Sequence, residues 1–85
     1  MPVVKLYANL RRLAGTKELS IRGGNVKDVV SELARQKPRV GEIVLQNGEL
    51  APHVIVTLNG RNIIEFETPV VEQDIVAIFP PIAGG

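Results

Sequence analysis

The chain has 85 residues, with ten Lys plus Arg against nine Asp plus Glu, scattered along its length, and no cysteine. That length builds one domain burying about 60 to 65% of its unfolded surface, which argues against an elaborate enclosed active site. The balanced charge gives no reason to expect a nucleic-acid or acidic-lipid partner, and the missing cysteines exclude a disulfide framework and a thiolate metal site. Apolar runs are strand-sized and no signal-peptide pattern is present, so the expectation is a cytoplasmic protein without a membrane span.

Val3 to Ala8 alternates, placing Val4, Leu6 and Ala8 on one face of a first strand. Asn9 to Gly15 breaks the pattern and reads as a turn. Lys17 to Arg22 alternates again and should return antiparallel to the first strand until Gly23-Gly24 ends it. The clearest helix follows, because Val26, Val29, Val30, Leu33 and Ala34 recur as one apolar stripe opposite Lys27, Ser31, Glu32 and Arg35. Asn25 is its expected N-cap, Asp28 complements the dipole in the first turn, and Pro38 stops it after Lys37.

The segment from Pro38 to Pro52 is open between two readings. Ile43-Val44-Leu45 is either a short strand before an Asn47-Gly48 turn or an apolar anchor beneath a loop. His53 to Leu58 is rich in β-branched residues and meets Asn59-Gly60, a strong hairpin signal, before a strand near Arg61 to Ile64. Ile75 to Phe79 is the last strand. A hairpin, a helix across one face and further strands closing a mixed sheet is an α+β arrangement, the ubiquitin-like β-grasp, with a right-handed crossover setting a later strand parallel to the first. Residues 1–79 then form the domain and 80–85 a projecting tail.

Enzymatic signatures are missing from the sequence: no P-loop, no GxGxxG after a strand, no HExxH and no histidine cluster. His53, the only histidine, has no orienting partner in view, and Glu65 and Glu67, two apart on a strand or edge and so sharing a face, read as a solvated face. No metal site is expected. Val54 to Leu58 and Ile75 to Phe79 are apolar on both faces, while one helix covers one of them. The other face either docks a partner or is covered by the segment from Pro38 to Pro52, or else these are central strands with the neighbouring loops closing the core.

The tail carries the chemistry. Pro80 and Pro81 impose an extended path that cannot continue the sheet, holding the Gly85 carboxylate clear of the domain. Gly84 and Gly85, without Cβ atoms, suit entry into a narrow channel of another protein. A terminal carboxylate is ionised at neutral pH and can attack the α-phosphorus of ATP to give an acyl-adenylate. A sulfur donor then yields a thiocarboxylate, or a lysine amine an amide. In both, the chain is substrate and carrier, with no cofactor of its own; ATP is used by the activating enzyme.

The whole chain resembles the small subunit of molybdopterin synthase, within the ubiquitin-like sulfur carriers. Leu6-Tyr7-Ala8-Asn9-Leu10-Arg11-Arg12-Leu13-Ala14-Gly15 is similar to the opening motif of that family, Val26-Lys27-Asp28-Val29-Val30 to its helix start, and Leu58-Asn59-Gly60 to its hairpin. Asp74 to Gly85 is similar to its terminal signature. The resemblance implies that Gly85 is adenylated by an activating enzyme related to the ubiquitin-activating enzymes and converted to a thiocarboxylate. The tail would insert into the large synthase subunit to build the dithiolene of molybdopterin, for molybdenum or tungsten. It also implies that Phe79, Pro80 and Pro81 lie at the partner interface and that Ile82, Ala83, Gly84 and Gly85 line the channel. The stretch from Asn47 to Val56 resembles archaeal members that also modify proteins through an isopeptide bond to target lysines. Sulfur carriers for thiamin or tRNA thiolation share the tail and are the remaining alternatives.

Overall fold

The computed structural model describes residues 1–81. The first strand, β1 (Val3–Leu6), forms where Val4 and Leu6 alternate with Val3 and Lys5, and both Val4 and Leu6 are fully buried. Ala8, expected on the same face, is exposed, because the chain leaves the strand there with a positive φ. The expected turn over Asn9 to Gly15 is instead a short helix, α1 (Asn9–Ala14). Leu10 and Ala14, four residues apart, are both buried, and left-handed Gly15 donates its N–H to Arg11 O at 2.9 Å to close the helix.

The returning strand, β2 (Glu18–Ser20), pairs antiparallel with β1, Lys5 opposite Glu18. The main helix, α2 (Val26–Gln36), starts as expected, with Asn25 Oδ1 accepting from Asp28 N at 2.8 Å. Val26, Val29, Val30 and Leu33 are buried along its stripe and Ala34 is half-buried. Pro38 ends α2 but also begins a further helix, α3 (Pro38–Val44), at a position where its missing N–H costs nothing. Between the two readings left open for this segment, neither covers it. Ile43 and Val44 are helical and Leu45 enters a two-residue strand, β3 (Leu45–Gln46), which turns at Asn47-Gly48 into β4 (Glu49–Leu50).

β5 (Ile55–Leu58) and β6 (Arg61–Asn62) flank Asn59-Gly60, whose φ values of 51° and 85° have the signs of a type I′ turn. β6 is shorter than the expected Arg61 to Ile64, so Glu65 and Glu67 lie in irregular backbone and share no strand face. The long connection to β7 (Ile75–Phe79) is clipped to the start of α2 by Val26 N donating to Thr68 O and Val70 N to Gly24 O. The sheet order is β2-β1-β7-β5-β6, with β1 and β7 parallel and the other neighbours antiparallel. This is the expected mixed β-grasp sheet.

Val4, Leu6, Val56, Val76 and Ile78 from the inner face of the sheet meet Leu10, Leu33, Val40 and Val44 from the three helices in one buried cluster. α3 therefore joins α2 in this core. The outer face is left open: Ile55 is 48% and Ile75 39% exposed.

Candidate functional site

Strand alternation decides what stands on the outer face. With Val4, Leu6, Val56, Val76 and Ile78 committed to the core, Val3, Lys5, Ile55, Thr57, Ile75, Ala77 and Phe79 must point the other way. The registers then align them. Ala77 lies between Lys5 and Thr57, and Phe79 is opposite Ile55. Tyr7, one step beyond β1, lays its ring on that of Phe79 with centroids 4.4 Å apart and planes 12° from parallel. Offset aromatic contacts of this kind contribute about 0.5 to 1.5 kcal/mol beyond their buried area.

Arg11 also packs on Tyr7. Its Cζ lies 5.1 Å from the Tyr7 ring centroid, and its Nε donates to Leu6 O at 2.8 Å. The three side chains cluster, with both the guanidinium and the phenyl ring against the Tyr7 ring, at the point where β7 gives way to the tail. Around it runs an open groove of about 1100 Å³, floored by Tyr7, Ile55, Thr57 and Phe79 and reached by His53, Asn62, Pro80 and Pro81. Such a concave, largely apolar surface on a small domain suits a protein partner.

Of the residues singled out in the sequence, Phe79, Pro80 and Pro81 meet at this groove, the two prolines half-buried against it. Ile82, Ala83, Gly84 and Gly85 fall outside the described residues. His53 stands at the rim of the groove, exposed and with a positive φ of 67°. Glu65 and Glu67 are exposed in the connection after β6, not among the residues lining the groove. Sequence reasoning did not single out Tyr7 or Arg11 as site residues, and it reached Ile55 and Thr57 only as part of the strand from Val54 to Leu58, one face of which was a candidate docking surface. For Tyr7, Ile55 and Thr57 the alternation itself was a usable signal, since each is out of phase with the buried positions of its strand.

Among the described residues no group of three or more His, Cys, Asp or Glu could hold a metal ion, and no helix is long and apolar enough to cross a membrane. The arrangement offers surface shape and a chain exit rather than a pocket of reactive groups.

Relatives match both the fold and nearly the whole chain. The model of the ThiS family covers residues 4–85. Small archaeal modifier protein 3 of Haloferax volcanii is 31% identical over 88 residues, spanning 96% of each chain. The solution structure of small archaeal modifier protein 1 from Methanosarcina acetivorans superimposes with a TM-score of 0.89 at 33% identity, over 98% of this chain and 94% of that one. A putative molybdopterin converting factor, subunit 1, from Pyrococcus furiosus superimposes with a TM-score of 0.71 at 26% identity, over 94% and 95% of the two chains. The expected β-grasp and the expected kinship thus hold together, and this chain belongs to the ThiS family, among the ubiquitin-like sulfur carriers and modifiers.

Proposed function

We propose that the protein is a carrier whose Gly85 carboxylate is activated by a partner enzyme and then passes sulfur on. The carboxylate attacks the α-phosphorus of ATP, pyrophosphate leaves, and a sulfur donor displaces AMP from the acyl carbon to leave a C-terminal thiocarboxylate. As the small subunit of molybdopterin synthase, the chain would then deliver that sulfur to a pterin precursor held by the large subunit. The observation that carries this reading is the open apolar sheet face, which leads through the Tyr7–Phe79 stack to the start of the Pro80-Pro81 tail. A partner that grips this face has the terminus in reach, since the six residues from Pro80 extend about 20 Å at most. The likeness to a putative molybdopterin converting factor subunit supports the choice of acceptor.

A second reading follows from the 31% identity to a small archaeal modifier protein. The same activated Gly85 would form an amide with a lysine of a target protein. The deciding measurement is the intact mass of the protein isolated from its own cells before reduction or acid treatment. Sulfur in place of one oxygen at the C-terminus is the expected result. Unmodified mass together with Gly-Gly remnants on lysines of other proteins would transfer the assignment to the modifier reading. Deletion of Gly85 should abolish activation and leave the melting temperature unchanged; a truncated chain that still acquires sulfur defeats both readings.

A further inference from the structure

Folding gathers charges that lie apart in the sequence. Lys5 on β1, Arg11 on α1 and Lys17 before β2 line one depression of about 200 Å³ with Leu6, Tyr7 and Glu18. Three cations against one carboxylate give this small surface a local excess of positive charge, on a chain whose net charge is only +1. Among the described residues none of the three is in an ion pair; the pairs are Met1–Glu72, Lys27–Glu49 and Arg35–Glu32. Glu18 is the only one of the nine acidic residues that lines either this depression or the apolar groove.

The two surfaces share Tyr7 as a common wall. Arg11 is fixed beside it by its bond to Leu6 O, so at least one of the charges keeps its place relative to the groove. An apolar floor with a basic rim on one side matches a surface of the opposite pattern, an apolar patch flanked by carboxylates. We propose that the basic rim of Lys5, Arg11 and Lys17 docks an acidic segment of the enzyme that activates Gly85, beside the apolar contact made in the groove. This rests on the reading that Gly85 is activated by a partner protein. Exposed pairs add little to equilibrium stability, but charges at a rim steer encounter and fix orientation. The rim therefore acts on the capture of the carrier and not on the adenylation step.

The test is ATP–pyrophosphate exchange with the activating enzyme of the same organism, followed against carrier concentration at about 0.05 M and about 0.5 M salt. For the unaltered chain, kcat/KM should fall steeply with salt. In Lys5→Gln/Lys17→Gln, KM at low salt should rise about tenfold with kcat held within about twofold, and most of the salt dependence should vanish. Lys5→Arg/Lys17→Arg should restore both KM and the salt dependence, which a loss of folding would not allow. If the Gln pair matches the unaltered chain in KM and salt dependence, the rim has no docking role while activation stands. Absence of exchange with the unaltered chain overturns the activation reading itself, and the rim proposal with it.

Discussion

Ala8 sits at φ 53° and ψ −135°, a region that side chains avoid and glycine enters freely. The location explains why such a conformation is held. Within a few residues the backbone must place Leu6 in the core, turn Tyr7 out onto Phe79 and bring Leu10 back inside. The methyl group of Ala8 is exposed and lines the groove, so its removal sacrifices little packing. Strain of this kind costs about 1 to 3 kcal/mol, and the added chain entropy of glycine offsets about 0.5 to 1 kcal/mol of the relief. Ala8→Gly should accordingly stabilise the fold by about 1 kcal/mol and raise the melting temperature by about 5 °C in a domain of this size. A lower melting temperature would mean that the methyl group, and not the backbone, is what the position requires. The stack itself was only half legible in the sequence. Phe79 stands out next to two prolines, but nothing local joins it to Tyr7 and Arg11 at the other end of the chain; the parallel pairing of β1 with β7 does that.

Among the elements, α3 tests the packing most sharply. A Cβ on Gly41 would lie 2.6 Å from Ala34 Cβ and 3.0 Å from Ala34 Cα, so α2 and α3 approach at a point where one of them must lack a side chain. Gly41→Ala gains about 1 kcal/mol of helix propensity, but the clash is with backbone and a short side chain that cannot swing aside. The net change should be a loss of about 1 to 2 kcal/mol, read by urea unfolding. Ala34→Gly alone should cost about 1 kcal/mol of helix propensity in α2, and the double variant should lose less than the sum of the two single changes, with a coupling of at least about 0.5 kcal/mol between the sites. Independent effects would show that the helices separate without penalty. These same residues explain why α3 escaped the sequence reading. Pro38 is a stop signal for α2 and a start signal for α3 at once, and Gly41 with β-branched Val40, Ile43 and Val44 reads poorly as a helix until α2 is there to pack against. By contrast, the Asn25 cap and the Asn59-Gly60 turn were legible because their chemistry is complete within a few residues.

At the scale of the whole molecule the sheet has two ends of different character. The tail end is apolar and basic; the opposite end is tied down by polar bonds. There Asn59 donates from Nδ2 to Asp74 Oδ1 at 2.9 Å and accepts from Ile75 N at 2.8 Å, while Asp74 Oδ2 accepts from Val71 N at 2.8 Å. These bonds, that from Asn59 foremost and then that from Val71, hold the Asp74 carboxyl below its usual range. On α2, Arg35 and Gln36 bring Glu32 down to about 2. Both shifts are depressions, so their stabilising contributions are complete above the unfolded carboxylate pKa of about 4 and are lost as pH falls through the lower folded values. Urea unfolding at stepped pH should therefore show an acid limb below about pH 4. Asp74→Asn should be less stable than the unaltered chain near neutrality, with the gap closing as pH falls through the lowered folded pKa of Asp74 and its carboxylate takes up a proton. A gap that stays constant across the range would mean that Asp74 acts as a neutral hydrogen-bonding group and that its charge contributes nothing. Because the clasp lies at the end of the sheet away from the tail, the proposed activation of Gly85 in the folded Asp74→Asn protein should proceed at the rate of the unaltered chain, so that loss of fold stability and loss of carrier function are separable.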